Sequence, residues 1–249
     1  AIINEATMKG HQIVGAIEAP NSPAIGRTLR ELNISNSDTI IQSADNLGQA
    51  IAGADVYISF TVPTADLANV PIVANLNKRI ILGTTGFTPD QNRQIVAAMS
   101  GKVPAVFSPN YSVGVNILFK LAEALKAFPA GYDFSLSEIH HTGKKDAPSG
   151  TAKKLEQILS QVRGYNKTVY GREGISPRQS AELESVALRA GGVPGIHDII
   201  VAGPNEMLRI EHTAFSRNVF AQGAVLAADW ISRQTEQKIY SMEDVLGLT

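Results

Sequence analysis

The densest group of chemically capable side chains in the sequence lies between residues 138 and 152. His140 and His141 are followed by two lysines, and a Ser149-Gly150-Thr151 run comes next. The start of a helix exposes unpaired backbone N–H groups, which together with Ser and Thr hydroxyls suit a carboxylate or a phosphate. Taken singly, each feature has a structural explanation: a packed histidine, solvated lysines, a helix cap. Together they predict a site for an anionic substrate beside an acid–base group.

Two further segments could bind a cofactor. Gly83-Thr84-Thr85-Gly86 directly follows a buried apolar run. Its glycines would let a flat ring approach the backbone closely, and its threonines offer hydroxyls. Glu18 ends another predicted strand, where an acidic residue of a dinucleotide-binding fold bonds a ribose. The alternatives are an ordinary strand-to-helix turn and a solvated loop carboxylate, so both interpretations depend on the fold.

The first half of the sequence predicts a doubly wound α/β sheet that would position these residues. Short apolar runs, each ending in a turn signal, alternate with helix-like stretches, as in buried parallel strands joined by helices. The runs lie at 13–17, 56–60, 80–82 and 103–107, and the helix-like stretches lie near 45–53, 65–76 and 89–99. Ligands of such a sheet bind outside the carboxyl ends of its strands.

The second half predicts an inserted α+β domain with a mainly antiparallel sheet. After a helix near 113–127, strand-like runs with a period of two follow at 133–139, 183–189, 197–202 and 206–213. One helix interrupts them, with apolar residues at Leu155, Ile158, Leu159 and Val162. An apolar helix near 220–231 returns the chain to the first sheet. The predicted domains are 1–109 with 217–249, and 110–216.

The beginning of the chain is unusual for this fold. Residues 1–6 read as the middle of a helix without an N-cap, and Gly10 reads as its stop signal. A Gly-rich phosphate loop is expected about 20 residues before the ribose-binding acid. Counting back from Glu18 places that loop before residue 1. The first strand, its Gly-rich turn and the first turn of the following helix are therefore expected to be missing from this sequence.

Residues 138–152 resemble the substrate-site segment of the dihydrodipicolinate reductase (4-hydroxy-tetrahydrodipicolinate reductase) family, with the pattern E-x-H-H-x-x-K-x-D-A-P-S-G-T-A. Residues 83–87, 108–116 and 216–224 are similar to the same family, and the resemblance runs from about residue 13 to residue 248. It implies a Rossmann-like fold with an inserted domain. It also implies nicotinamide-dependent reduction of dihydrodipicolinate to tetrahydrodipicolinate in lysine and diaminopimelate biosynthesis.

The resemblance also assigns roles to individual residues. His140 and Lys144 are expected to carry the proton transfer. The substrate carboxylates are expected on His141, Lys144, Ser149, Gly150 and Thr151. The cofactor is expected on Glu18, Phe60, Thr61, Gly83, Thr84, Thr85, Ser108, Asn110, Tyr111 and Arg217. No metal is expected. His11, His197 and His212 lie outside the motif and are interpreted as structural or surface residues.

Composition excludes several other classes of function. The net charge is −1 and the pI is about 6.6, so no global field favours nucleic acid or an anionic membrane. No stretch approaches the roughly 18 apolar residues of a membrane span, and no signal peptide opens the chain. Cysteine is absent, which excludes disulfides and thiolate metal sites. A soluble cytoplasmic protein is expected.

Cofactor choice and assembly are also predicted. In many family members an arginine suited to the 2′-phosphate of NADPH follows the acidic residue of the second strand. Here Ala19-Pro20 follows Glu18, and the next basic residue is Arg27. NADH is therefore expected to be favoured over NADPH. The resemblance further implies a homotetramer joined through the sheets of the second domain.

Two other functions stay open on the sequence. A different nicotinamide enzyme with a similar plan, such as an amino-acid dehydrogenase, would not need the His–Lys–Ser-Gly-Thr segment. A non-catalytic sensor would keep the fold without turnover, and the expected loss of the phosphate loop is what favours it. An intact-mass measurement on the native protein discriminates, because a complete reductase should carry about 20 more residues.

Overall fold

The computed structural model describes residues 1–248, and the chain forms two compact units. Unit 1 consists of Ala1–Tyr111 and the chain from Phe220 onward, and unit 2 consists of Ser112–Val219. Unit 2 is thus an insertion in unit 1 along the chain, and the sequence-based division into 1–109 with 217–249 and 110–216 stays a prediction. Within residues 1–248, no helix has the length and apolar character needed to cross a membrane.

Unit 1 is organised around a parallel sheet in the order β11-β5-β4-β3. Its strands are β3 (Val56–Ser59), β4 (Arg79–Leu82), β5 (Ala105–Phe107) and β11 (Ile239–Tyr240). The apolar residues of β4 have no exposed surface, as expected for a central parallel strand. The helices α3 (Pro63–Asn75) and α4 (Pro89–Met99) connect the strands, and Thr88 with Gln91 forms a capping box at the start of α4.

The remaining part of the predicted sheet is a separate parallel pair. Strands β1 (Ala16–Glu18) and β2 (Ile41–Ser43) bond only to each other among named strands and share a small core with Leu29. The helix α1 (Ile2–Met8) precedes them and is followed by Gly10, whose positive φ of 86° suits a helix stop.

Three helices complete unit 1. The helix α2 (Leu47–Ala50) follows a short 3₁₀ turn and is shorter than the predicted 45–53. The others are α7 (Asn218–Ile231) and α8 (Met242–Leu246). A Cβ on Gly223 of α7 would lie 1.6 Å from the carbonyl oxygen of Tyr111. Glycine at this position therefore allows α7 to lie directly against the chain that leaves β5.

Unit 2 contains a five-stranded sheet in the order β10-β9-β6-β8-β7, with two helices packed on it. The helices are α5 (Val113–Ala124), extended by a 3₁₀ turn, and α6 (Gly150–Arg163). The strands are β6 (Asp133–His140), β7 (Lys167–Val169), β8 (Glu182–Arg189), β9 (Gly195–Ala202) and β10 (Met207–Ala214). Leu155, Ile158 and Leu159 of α6 are buried in this core, which confirms the predicted apolar face.

The sheet of unit 2 is mixed, whereas the sequence predicted a mainly antiparallel one. Strand β9 is antiparallel to β6 and β10, but β8 runs parallel to β6 and to β7. The cause is α6, because a helical crossover after β6 returns the chain in the same direction. The Rossmann-like unit with an inserted α+β unit is otherwise as predicted.

Candidate active site

Strand β6 places two ionisable side chains on the face that carries the core of unit 2. Phe134 and Leu136 point into that core, and Glu138 and His140 continue the same row because alternate residues share a face. His197 lies opposite Glu138 on the neighbouring strand β9. Glu138, His140 and His197 are 1%, 7% and 4% exposed. The row is therefore apolar in the first half of β6 and ionisable at its carboxyl end.

The Glu138 carboxylate lies between the two imidazoles. Its Oε2 atom is 2.8 Å from Nδ1 of His140 and 3.8 Å from Nε2 of His197. The two rings meet edge to face, with centroids 5.1 Å apart. Although Oε2 and Nδ1 of His140 are close, they are not aligned for a hydrogen bond, and neither atom has another partner. One buried oxygen thus faces two histidines.

The other Glu138 oxygen connects the strand to the start of α6. Its Oε1 atom accepts the backbone N–H of Ser149 at 2.9 Å and a guanidinium N–H of Arg189 at 3.2 Å. Arg189 also donates to the backbone carbonyl of Asp146. These contacts fix the carboxylate, the loop after β6 and the first residue before α6 relative to one another.

At the start of α6, some polar groups already form hydrogen bonds within the protein and others face outward. Ser149 is the N-cap: its hydroxyl accepts the N–H of Ala152 and lies 3.2 Å from Nε2 of His197. Ser149 is buried, whereas Gly150 is exposed and Thr151 is half-buried in the first turn. Ser149 therefore shapes the helix start, and the outward side of the first turn consists of Gly150 and Thr151.

The loop between β6 and α6 carries the lysines. The ammonium Nζ of Lys144 lies 2.9 Å from Oδ1 of Asp146, and the Lys144 N–H donates to the carbonyl of His141. The Lys144 side chain is largely covered, whereas Lys145 is exposed. The Lys144 ammonium holds the pKa of the Asp146 carboxyl below its usual value. The loop thus brings one partly covered cation to the site.

Burial and neighbouring charges set the ionisation of the cluster. Burial raises the pKa of Glu138, but the hydrogen bonds from Ser149 and the charges of His140 and Arg189 outweigh it, so the pKa lies below its usual value. Burial lowers the pKa of His140; the Glu138 carboxylate opposes this shift, and Lys144 adds to it. Burial and His140 lower the pKa of His197 to about 4. In the free site Glu138 is ionised and His197 is neutral.

Glu138, His140 and His197 also have the donor types of a divalent-metal site. One ligand atom from each lies within 4.8 Å of the others. Carboxylate and neutral imidazole suit Zn²⁺. However, Arg189 bonds the same carboxylate, and Lys144 is near enough to affect the His140 pKa. These two positive charges oppose a bound cation, so the arrangement fits acid–base chemistry better than metal binding.

The predicted cofactor residues of unit 1 lie where neighbouring parallel strands end. Phe60 and Thr61 follow β3, Gly83-Thr84-Thr85 follows β4, and Ser108 follows β5. The Thr84 hydroxyl accepts the N–H of Thr61 at 2.9 Å and so joins two of these loops. A cavity of about 320 Å³ beside them is lined by Thr84, Thr85, Gly86, Phe87, Asn92, Phe107 and Pro109. The carboxyl ends of parallel strands are where this fold class binds its ligands.

Aromatic packing explains a glycine and corrects the expected role of a tyrosine. A Cβ on Gly83 would lie 2.1 Å from the Phe60 ring, so glycine is needed for that ring to lie over the loop. The Phe60 ring meets the Tyr111 ring edge-on at 5.1 Å. Tyr111 is buried, and its hydroxyl lies between the backbone carbonyls of Leu82 and Val106. Tyr111 therefore supports the turn from the core, and its side chain is not expected to contact a cofactor.

The predicted cofactor residues also include Asn110, Glu18 and Arg217. In the turn after β5, the Ser108 hydroxyl donates to the carbonyl of Asn110. Glu18 is exposed at the end of β1 and accepts the N–H of Ala19. Arg217 is exposed between β10 and α7 and belongs to unit 2, whereas the sequence placed it in the first domain.

The histidines outside the motif have different surroundings. His11 forms a half-exposed ion pair with Asp229, as expected for a surface residue. His212 lies 3.4 Å from the Ser112 hydroxyl, and its ring is 6.4 Å from the His197 ring. His197 packs against His140, the predicted catalytic histidine. The sequence did not indicate this contact. Glu138 was part of the recognised motif, and its spacing of two residues from His140 was the available signal for a shared face.

Comparison with known proteins identifies the family. The family model for the N-terminus of dihydrodipicolinate reductase matches residues 1–111, and the one for the C-terminus matches residues 114–246. The chain belongs to the dihydrodipicolinate reductase family. A 4-hydroxy-tetrahydrodipicolinate reductase of Methanosarcina barkeri is 45% identical over 217 residues, which are 87% of this chain and 79% of the relative. The enzyme of that name from Methanosarcina mazei is 43% identical over 95% of this chain and 90% of the relative.

A solved structure supports the same fold. The dipicolinate-bound dihydrodipicolinate reductase of Paenisporosarcina sp. TG-14 has a TM-score of 0.71 at 23% identity, over 96% of this chain and 93% of that one. The predictions of the family and of a 4-hydroxy-tetrahydrodipicolinate reductase in lysine/diaminopimelate biosynthesis are confirmed. A nicotinamide cofactor follows from the reductase family and its nucleotide-binding domain.

Proposed function

We propose that His140, Lys144 and the start of α6 carry out the reduction of dihydrodipicolinate to tetrahydrodipicolinate. The observation that supports this assignment best is the Glu138 carboxylate, which contacts His140 through one oxygen and the Ser149 N–H through the other. One side chain thereby joins an acid–base group to a helix start suited to an anion. A substrate with carboxylates on an unsaturated ring needs both.

The charge of the site suits a dicarboxylate. Lys144 and Arg189 supply two cations, and the first turn of α6 supplies N–H donors with the positive end of the helix dipole. We assign the substrate carboxylates to His141, Lys144, Gly150 and Thr151, with Ser149 organising the helix start. The Paenisporosarcina relative, whose structure holds dipicolinate, binds a planar dicarboxylate of this kind.

Proton transfer must accompany hydride addition to the conjugated ring. A bound nicotinamide supplies the hydride, and we assign the matching proton to His140 and Lys144. In the free site burial keeps the pKa of His140 low. A bound dianion adds negative charge beside the imidazole and raises that pKa again, because opposite charges favour the protonated form. Substrate binding would thus prepare His140 to hold the proton.

We assign cofactor binding to the loops of unit 1. Thr61, Gly83, Thr84 and Thr85 would contact the nicotinamide end, together with Phe60, Ser108 and Asn110. Glu18 would bond the adenine ribose. A carboxylate there repels a 2′-phosphate, and Ala19 does not offset that repulsion, so NADH is the favoured cofactor. A contact from Arg217 would have to come from unit 2.

We further propose a homotetramer formed through the sheet of unit 2. Strand β10 is an edge of that sheet, and it exposes Met207 and Leu208. An exposed apolar edge strand is an aggregation hazard unless another surface covers it. A closed assembly of identical chains would provide that cover. A cytoplasmic location stays a prediction.

The experiment is a coupled reductase assay. Dihydrodipicolinate is generated in place from pyruvate and aspartate semialdehyde, and the loss of NADH or NADPH absorbance is followed. The protein should consume cofactor when this substrate is present. His140→Gln, whose kcat should be roughly 10²–10⁴-fold lower, serves as the control. If the protein oxidises neither cofactor with this substrate, the assignment is wrong.

A further inference from the structure

We infer that Glu138 is a positioning residue of this reaction. Its carboxylate holds His140 with a proton on Nδ1 and thereby leaves Nε2 as the atom that exchanges a proton with the substrate. This inference rests on the proposed function of His140 and names a residue through which that function is controlled. The contacts of the two His140 nitrogens and of the two Glu138 oxygens support it.

The first support is the buried pair of atoms at 2.8 Å. Oε2 of Glu138 and Nδ1 of His140 are both inaccessible to solvent, and neither has a hydrogen-bond partner elsewhere in the protein. If Nδ1 carried no proton, two lone pairs would face each other without water, which is costly in a buried place. A proton on Nδ1 removes that repulsion. In the structure the Nδ1–H bond of His140 does not point at Oε2 of Glu138. Catalytic hydrogen bonds commonly tighten only when the ligand is bound.

The second support is the environment of the opposite ring nitrogen. A Cβ on Gly195 would lie 3.1 Å from Nε2 of His140. Because residue 195 is glycine, the space beside Nε2 stays clear of a side chain from β9. The two nitrogens therefore differ: Nδ1 faces a fixed carboxylate, and Nε2 faces space that a glycine leaves open.

The third support is that Glu138 cannot turn away from His140. Its second oxygen accepts N–H groups from Ser149 and Arg189, and it sits on a central strand of the sheet. A carboxylate fixed in this way stabilises the imidazolium that forms when Nε2 gains a proton, as the acid of a catalytic triad does. The same fixation keeps the helix start in register with His140.

Charged and titratable groups face His140 from every neighbouring element. Glu138 lies on β6 itself, Lys144 and Asp146 lie in the following loop, Arg189 lies on β8, and His197 lies on β9. Lys144 and Arg189 oppose protonation, whereas Glu138 and Asp146 favour it. Among the favourable charges, the effect of Glu138 is the larger. Loss of the Glu138 charge should therefore lower the pKa of His140 further.

The test is Glu138→Gln, alone and combined with His140→Gln. Glutamine keeps an oxygen for the Ser149 N–H, so KM for the substrate should change less than about threefold. We expect kcat to fall about 10- to 100-fold, less than the roughly 10²–10⁴-fold loss when a proton-transfer group is removed. The alkaline limb of the pH profile of kcat/KM should move to lower pH. Added to His140→Gln, the substitution should lower kcat no further, because residues that act as one unit are not additive.

Glu184→Gln is the matched control. Glu184 lies on β8 of the same sheet and pairs with Arg172. The substitution Glu184→Gln therefore removes a carboxylate charge from the sheet without changing a contact of His140. Its kcat and pH profile should match the parent. If Glu138→Gln lowers kcat equally in the parent and in the His140→Gln background, or leaves the pH profile unmoved, Glu138 has only a structural role and the inference is wrong.

A nitrogen NMR measurement tests the inference without turnover. The chain has five histidines, so the imidazole signals of His140 can be assigned by its substitution. At a pH where His140 is neutral, the parent should show the proton on Nδ1, and Glu138→Gln should shift the tautomer population. A proton found on Nε2 in the parent overturns the inference even in an active enzyme. An inactive parent with the Nδ1 tautomer contradicts the proposed function instead.

Discussion

Removal of the Ser149 hydroxyl should loosen the start of α6 by an amount that the structure allows us to estimate. The hydroxyl caps the helix by accepting the Ala152 N–H at 3.2 Å, a contact that contributes about 1 kcal/mol at a typical N-cap. It also lies 3.2 Å from Nε2 of His197. Leaving that buried nitrogen without a partner costs about 1–3 kcal/mol more. Ser149→Ala should therefore destabilise the helix by about 2–4 kcal/mol.

Hydrogen exchange followed by mass spectrometry suits this prediction. The single tryptophan, Trp230, lies in unit 1, so its fluorescence would not report on α6. Every 1.4 kcal/mol corresponds to a tenfold change in an equilibrium constant, so peptides of Gly150–Arg163 should exchange about 30- to 1000-fold faster in Ser149→Ala. Peptides of β4 in unit 1 should be unchanged.

Ser160→Ala provides the control for this experiment. It changes the same residue type inside α6, where alanine is the better helix former and no cap is removed. Its exchange should equal that of the parent or be slightly slower. If Ser149→Ala leaves protection of α6 within about threefold of the parent, the estimated energies of the cap and of the His197 contact are wrong.

The other predictions concern the reaction, the cofactor and the assembly. His140→Gln and Lys144→Ala should each lower kcat by roughly 10²–10⁴-fold in steady-state kinetics, and near-parent activity would remove the residue from the mechanism. Thr151→Val should mainly raise KM, because it removes a carboxylate contact made throughout the reaction; a loss confined to kcat would contradict that role. The ratio of kcat/KM values should favour NADH by a small factor, since an ion pair at a rim site contributes roughly 0–1 kcal/mol, and Ala19→Arg should shift it toward NADPH. A several-fold NADPH preference in the parent would mean that another cation binds the phosphate. Light scattering should give about four times the chain mass of 26.6 kDa, whereas a clean monomer would refute the tetramer.

Local sequence signals predicted the helices whose ends and buried faces are determined by residues close together in the chain. The helix-like stretch predicted near 89–99 is α4, whose start Thr88 and Gln91 cap, and the apolar spacing of α6 gives its buried face. These features depend on neighbours within four residues. Strands β2, β7 and β11 were not predicted, because none of them lies in a longer apolar run of the kind that marks the equally short β1 and β5.

Local sequence signals could not predict how strands that are distant in the sequence pair with one another. The parallel arrangement of β6 and β8 depends on the path of α6, and the sequence period is the same for parallel and antiparallel neighbours. The contact of Glu138 with His197 follows from the register of β6 and β9, which no spacing in the sequence reveals. For the same reason His197 was interpreted as a structural or surface residue.

The motif predicted which residues gather at the site but not how each is used. His140, Lys144 and the Ser149-Gly150-Thr151 run do lie on β6, the next loop and the start of α6. However, the hydroxyl of Ser149 is taken up by the protein itself, and the ring of Tyr111 is buried in the core. A side chain's type indicates what it can bond, whereas only packing determines which partner it meets.

Transfer of a labelled hydride would show both the assigned reaction and its dependence on His140. The protein is supplied with dihydrodipicolinate generated in place and with NADH carrying deuterium at the transferable position, and the mass of the product is measured by mass spectrometry. We expect the parent to form tetrahydrodipicolinate with one deuterium, and His140→Gln to form it roughly 10²–10⁴-fold more slowly. If the parent consumes the substrate without forming a labelled product, or if His140→Gln forms it as fast, the assigned reaction or its site is wrong.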